Sequence, residues 1–520
     1  MADVTLTAER IIRRFARDTN LLVAGRIVRI SAAQPDTADL SATCRELTRM
    51  FSALGAHVVT ASRHDAAATA SASASASAHF LDIQLDAAGP DSEIAATLLL
   101  GGAPLPSRGD ADGRIDFAGE HMPVSRLVAK GLGERGSVQG LRIGIAMVLE
   151  PKTAQLALLL SAAGAEVAVY AHPDEIDASV AEALRARGIA VDGSETLSGQ
   201  AERAAALAFL ERGFDILLDD GSHLIRLAHE DAPHLVKQWI GANEETTSGL
   251  TPLRQMSALG ILDTAVFAVN DAQMKTRFDN RYGTGQSCVF AIADALDRVG
   301  VTVRDQPALV LGYGPVGEGV AAHLAALGAE VRVAEVNPVL ALRAAHDGYG
   351  IGEAAELGAG ALVVSSTGVA HTISADLART ARAVAVAGGV PGELDLDGLL
   401  LGDPAEQLTP LAAHVERADP AGTLVLDRGG CINITAAEGN PIEIMDLSFA
   451  VQLAAVEELV VMRPAVGVHA LPTSIDDTVA RAAVAARGEH IDTPADAQLA
   501  AAHDWRSRRY LSSSPNQETR

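Results

Sequence analysis

Aromatic residues are scarce in this chain. They make up 3% of its 520 residues, with two Trp and five Tyr. A core must therefore be built from Ala, Val, Leu and Ile. Cysteine is rarer still: Cys44, Cys288 and Cys431 stand far apart. Without a CxxC pair or an even set they exclude a zinc knuckle and a disulfide scaffold, and no residues are assigned to a metal. No uncharged apolar run reaches the ~18 residues of a membrane span, and the opening MADVTLTAERIIRRFARD holds no apolar leader. Positive charge is in deficit, with 41 Lys and Arg against 66 Asp and Glu, a net charge of −25. Such a surface has no general attraction for phosphate-bearing polymers or anionic lipid. These absences predict a cytoplasmic protein with neither a nucleic-acid nor a membrane partner.

What is present is apolar and alternating. Hydrophobic residues reach 48%, enough for about three domains at ~150 residues each. Residues 1–113 read as an appended α/β module, with strands at Arg26–Ile30, His57–Thr60 and Phe80–Leu85 and a helix at Leu40–Leu54. The low-complexity run Ala66–Ala78 predicts a flexible loop, and Gly101–Gly113 predicts a linker. From Ile115 onward strands alternate with helices: Leu141–Val148, Pro151–Ala163, Glu166–Tyr170, Asp177–Arg187, Ile189–Val191 and Phe214–Leu218. That alternation predicts a parallel sheet covered on both faces. The expected class is α/β, with two doubly wound, Rossmann-like domains and the N-terminal module. The expected bounds are 114–284 with 442–475 for a substrate domain, 285–441 for a nucleotide domain and 476–520 for a tail.

The second half opens with a short buried strand, Ala308–Leu311, followed by Gly312-Tyr313-Gly314-Pro315-Val316-Gly317, a helix and the strand Glu330–Ala334. In this context Gly312 permits a tight turn. Gly314 admits a pyrophosphate to the backbone, and Gly317 lets helix pack on strand. Glu335, 18 residues beyond Gly317, suits both ribose hydroxyls of NAD. Three more segments are polar where a core-forming chain should be apolar: LLDDG ending at Gly221, NEETTSG ending at Gly249, and VNDAQMKTRFDNRYG ending at Gly283. Each lies at a strand end or helix start, where open parallel sheets bind ligands. Lys275 and Asp279, four apart, share a helix face. Asp220, Glu245 and Asn280 are candidates to join them, since a lysine beside buried carboxylates can be tuned for acid/base work.

These motifs, with VLGYGPVGEG, NITAAEGNPIEIMDLSFA and ALPTSIDDTVARAAVAARGEHID, closely resemble the S-adenosyl-L-homocysteine hydrolase family, most of all its shorter thermophile and archaeal branch. The likeness runs from about Ile115 to Trp505. It implies that bound NAD oxidises a ribose 3′-hydroxyl, that C4′–H is then acidic enough to lose its proton, and that the 5′ substituent leaves. By resemblance Lys275 and Asp279 manage the 3′-hydroxyl proton beside Asn280, and Asp220 serves C4′ and C5′. Glu245 holds ribose hydroxyls, and Thr246, Thr247, Ser248, Asn280 and Asn433 meet the cofactor. Gly312, Gly314, Gly317 and Glu335 hold its adenosine half. The resemblance also implies a homo-oligomer, a tetramer or dimer, acting on a small nucleoside.

Three family histidines are missing. Val148 stands at the first, in AMVLE; Gly389 at the second, in AGGVPGE; and Asn440 at the third, in GNP. In the family all three serve the 5′ side, whereas the residues of hydride transfer are intact here. Losing one general acid or base costs roughly 10²–10⁴-fold. The pattern predicts a paralogue that keeps 3′-oxidation and reassigns the 5′ chemistry, such as a nucleoside dehydratase or hydratase. An adenosylhomocysteinase proper and an NAD-binding pseudoenzyme are the alternatives. Expected substrate-side residues are Glu150 and Lys152 near the base, Asn440, and two imidazoles, His172 and His223, that could replace lost acid/base groups.

Overall fold

A computed structural model describes residues 3–32, 38–60, 79–87, 94–105, 107–304, 306–400 and 407–506. The Ala66–Ala78 segment and the terminal Arg508, Arg509 and Tyr510 lie outside them. The architecture is α/β with three sheets. Residues Arg142–Ala146, Glu166–Tyr170, Ala190–Asp192, Ile216–Asp219, Gly241–Glu244, Ala265–Ala268 and Gly467–His469 form a seven-stranded, wholly parallel sheet. Its first strand lies inside, next to Ile216–Asp219, so strand order reverses between those two. Clefts for ligands open at such a reversal, beyond the carboxyl ends. All four residues of Ile216–Asp219 and of Gly241–Glu244 are buried, as expected of strands covered on both faces. Their last positions are nonetheless Asp219 and Glu244, which marks this edge as a site.

A second sheet of eight strands is built the same way around Pro307–Leu311, with Glu330–Ala334 on one side and Leu362–Ser365 on the other. An antiparallel hairpin, Gln407–Ala412 and Val415–Asp419, closes one edge. The chain passes between the two sheets twice: outward through Thr276–Gly283 and the buried helix Thr284–Asp297, and back through residues 433–441 into the helix Ile442–Met462. Asp446 of that helix accepts the backbone N–H groups of Val124 and Ser125 at 2.9 and 2.6 Å, capping the helix Pro123–Arg135.

The N-terminal sheet has the order His57–Thr60, Ile27–Ala32, Phe80–Ala87, Ile94–Leu100, Ala103–Pro104, the first three strands parallel. Two expectations change here. The linker expected over 101–113 contains an edge strand and the first turn of the helix Ala111–Glu120, whose N-cap is Asp110. The helix Thr473–Ala486 also runs unbroken across the tail boundary expected at 476. Among the described residues no helix is long and apolar enough to cross a membrane.

The module is firmly docked. Arg13 of the helix Val4–Thr19 is 2% exposed and pairs with Glu9, Asp294 and Asp297, the last two on the helix Thr284–Asp297. Arg10 joins Asp297 from the surface at 2.7 Å. Gln286 holds the extended segment after that helix from both sides, accepting from Val23 N at 2.8 Å and donating to Leu21 O at 3.0 Å. Because breaking a buried ion pair strands its partners, Arg13→Ala is expected to lower unfolding free energy by about 3 kcal/mol in urea titration. Arg10→Ala, at an exposed pair, should cost under about 1 kcal/mol.

Candidate active site

Local backbone geometry creates the centre. The short helical turn Gln273–Lys275 begins where the side chain of Asp476 accepts the N–H groups of Gln273 and Met274 at 3.1 and 2.8 Å. The chain then widens into a π-helical stretch, Thr276–Gly283, a distortion frequent at functional sites. It points Lys275, Asp279 and Asn280 into one buried cluster. Lys275 Nζ lies 2.9 Å from Asp279 Oδ2, 2.9 Å from Asn280 Oδ1 and 3.8 Å from Glu245 Oε1. Asn280 in turn donates to Asn270 at 3.1 Å. Gln452 donates to Glu245 Oε2 at 2.5 Å and is itself held by Asn243 at 3.1 Å. Glu245 Oε1 has no hydrogen-bond partner among the described residues, leaving one carboxylate oxygen free for a hydroxyl.

Charge follows from burial. Burial alone would push Lys275 down, but Asp279 and then Glu245 outweigh it, and the ammonium is pushed up to about 12. Burial raises Glu245 to about 7 against the opposing pull of Lys275. Asp220 rises for the same reason, with Lys275 again the main opposing charge. Behind it Asp219 is raised by burial to about 8, and Glu244 is pushed well above the carboxylate range. One buried cation thus sits among carboxyl groups that burial pushes up, Glu245 to about 7.

Asn440, expected on the substrate side, donates to Asp279 Oδ1 at 2.5 Å and to Thr284 at 3.0 Å. Its carbonyl accepts from Asn433 at 3.0 Å and Ser287 at 2.7 Å. The residue in the third histidine's place therefore orients the carboxylate of the Lys275–Asp279 pair. His172 and His223, 51 residues apart in sequence, do come together, with ring centroids 5.0 Å apart and nearly perpendicular. His172 Nδ1 lies 2.9 Å from Glu202 Oε1. Burial, with His172 and Arg226 adding to it, lowers His223 to about 4. The pair lines a cavity of about 330 Å³, and the charge of His172 is felt at Asp220. Val148 is half-buried just past the strand Arg142–Ala146.

At the base-side pair, Lys152 Nζ lies 2.6 Å from Glu150 and donates to the carbonyl of Glu438 at 2.7 Å. The same carbonyl accepts from Asn20 at 2.9 Å, and the Glu438 carboxylate is paired with Arg108 and Arg114. Asn20 and Arg108 come from the module to which the sequence assigned no chemistry. Sequence reasoning also missed Gln452, Ser287, Asn270 and Asp476. Of these Asn270 and Asp476 had a signal, since the motifs VNDAQMKTRFDNRYG and ALPTSIDD lay within the resemblance.

The glycine loop fits NAD as its spacing implied. Gly312 has φ +88°. A Cβ on Gly317 would lie 2.0 Å from the Gly312 carbonyl oxygen, whereas one on Gly314 would meet nothing within 4 Å. The free space lies at the start of the helix Pro315–Leu327, where unpaired N–H groups suit phosphate. Glu335, at the end of the next strand, accepts from Tyr313 N and Asn337 N at 2.6 and 2.8 Å. Thr246 caps the helix Thr247–Ala258, receiving Gly249 N at 3.2 Å and donating to Glu244 at 2.7 Å. Ser248 donates to Thr246 at 3.1 Å, and Thr247 is exposed.

A doubly wound nucleotide-binding domain set against a second parallel sheet, with a buried lysine–carboxylate cluster at the crossing, defines an NAD-binding α/β protein. The family model described as S-adenosyl-L-homocysteine hydrolase, NAD binding domain, matches residues 280–439. An adenosylhomocysteinase of Gloeobacter violaceus is 33% identical over 404 residues, 75% of this chain and 93% of that protein. One from Thermotoga maritima is 33% identical, covering 75% and 98%. An S-inosyl-L-homocysteine hydrolase of Methanothermobacter thermautotrophicus is 32% identical, covering 75% and 95%. The chain belongs to the adenosylhomocysteinase family, carries an extra N-terminal region and uses NAD.

The two inner glycines separate binding from folding. Gly314→Ala is expected to leave the NAD-free protein within about 1 kcal/mol of the parent, the difference being that of an N-cap, while weakening NAD retention at least roughly tenfold. Gly317→Ala should lower the melting midpoint with or without NAD. Calorimetry and NAD release measured on the same samples test both.

Proposed function

We propose that this protein transiently oxidises the ribose 3′-hydroxyl of an adenine-type nucleoside and eliminates or adds water across C4′–C5′. The observation that carries the reading is the intact, buried Lys275–Asp279–Asn280–Glu245 cluster beside a 5′ side that has lost its histidines. Bound NAD supplies the hydride acceptor and donor. The protein's own groups do the rest. The free Glu245 oxygen accepts from the ribose hydroxyls and fixes the ring. As C3′ loses hydride, the hydroxyl proton passes to Asp279, whose carboxylate is aimed by Asn440. The Lys275 ammonium then donates to the new carbonyl oxygen and stabilises charge on it. Asp220 takes the C4′ proton, and the 5′-hydroxyl leaves with a proton delivered from the His172 side, so that water is lost in balance. Hydride return and reprotonation at O3′ restore the alcohol. The enclosed cluster keeps bulk water from the oxidised ring. Glu150 and Lys152 present an acceptor and a donor to the base.

Incubation in heavy water with adenosine, other adenine nucleosides and S-adenosylhomocysteine, read by mass spectrometry, tests this. The expected result is deuterium at C4′ or loss of water without release of homocysteine. Rapid homocysteine release would instead make the protein an adenosylhomocysteinase. No exchange with NAD bound would make it a non-catalytic binder. Lys275→Met should cut C4′ exchange by about 10²–10⁴-fold, whereas His172→Phe should retain exchange and lose the elimination. Because Glu245 must be ionised to accept from the hydroxyls, the rate of exchange should rise with pH through about 7. That limb should vanish in Glu245→Gln.

A further inference from the structure

The junction between the module and the rest of the chain encloses a cavity of about 290 Å³, apart from the reaction cluster. Its walls are the helix Val4–Thr19, the helix Thr284–Asp297 and the returning segment around Glu438. In a chain of net charge −25, four arginines, Arg13, Arg17, Arg108 and Arg298, face this space against two carboxylates, Asp294 and Glu438. Both carboxylates are already matched: Asp294 by the buried Arg13, and Glu438 by Arg108 and Arg114. Arg17 reaches Asp294 only at 3.5 Å and Asp18 at 3.7 Å, with its side chain 58% exposed. The Arg298 side chain makes no ion pair or hydrogen bond among the described residues. The positive charge left over is therefore that of Arg298, with Arg17 held only through its long contacts. Phe290 and Ala295 supply an apolar wall between the polar groups.

We propose that this cavity is a binding site for a small phosphomonoester. The Arg298 guanidinium, joined by that of Arg17 turning from its long contacts with Asp294 and Asp18, matches the oxygens of a phosphate, which guanidinium groups hold bidentately and more strongly than a neutral donor would. The apolar wall takes the esterified group. The site spans the module and the crossing helix, so an occupant ties them together. It also borders Glu438, whose carbonyl accepts from Lys152.

The test uses the full chain saturated with NAD, which fills the glycine loop. Titration calorimetry with phenyl phosphate, inorganic phosphate and phenol is compared between the parent and Arg17→Glu/Arg298→Glu, neither residue belonging to the reaction cluster. Phenyl phosphate should bind one per chain, more tightly than inorganic phosphate, with phenol silent. The double variant should weaken it at least tenfold and leave nucleoside C4′ exchange at the parental rate. The proposal is overturned if phenyl phosphate does not bind, or if the double variant, shown folded by an unchanged melting midpoint, binds it as the parent does. Either result stands whatever the reaction at the Lys275 cluster proves to be.

Discussion

A single buried ammonium organises the centre of this protein. Burying an unpaired charge costs several kcal/mol, so Lys275, 3% exposed, can exist only with matched partners on all sides. Asp279 and Asn280 come from its own widened helical turn, and Glu245 from a strand end on the neighbouring element. Those partners need fixing in turn: Asp279 by Asn440, Glu245 by Gln452, and Asn280 by Asn270. Asn440 lies on the segment that returns between the two sheets. The π-helical stretch, the returning segment and Gln452 of the helix Ile442–Met462 thus meet around one interior cation.

The same charge sets the acid/base character of its surroundings. Burial pushes Glu245 and Asp220 up while Lys275 pulls them back. Glu245, a spectator in water, therefore exchanges its proton near neutrality. Beyond this cluster His172 and His223 form an imidazole pair at 74°, with His172 held by Glu202. The Lys275 cluster is over-determined by hydrogen bonds, and the proposed function rests on reading it as a retained 3′ side beside a rebuilt 5′ side.

Local signals in the sequence reached far. The glycine loop, its strand and helix, and Glu335 were legible because each role depends on near neighbours and on φ alone. The pairing of Lys275 with Asp279 was legible from spacing, although the backbone there is π-helical rather than α-helical. What could not be read was long-range. Gln452 lies 207 residues from Glu245, and Asn440 lies 161 from Asp279, so no periodicity connects them. The histidine that Asn440 replaces in the motif gave no hint of its hydrogen bond to Asp279. The module looked inert for a similar reason, since Arg13, Asn20 and Arg108 find their partners only through docking. The meeting of His172 and His223 was not implied by their separation, only by both lying at carboxyl ends of strands in one sheet.

The central claim is that the redox half of the site is intact and works independently of homocysteine. It is tested most directly by rapid mixing of the NAD-loaded protein with adenosine while following the near-ultraviolet absorbance of reduced nicotinamide. The account predicts a transient rise within one turnover, absent in Lys275→Met and preserved in His172→Phe. No absorbance change with adenosine, but a rise with S-adenosylhomocysteine, would contradict it, because the 3′ chemistry would then depend on the homocysteine-bearing 5′ group.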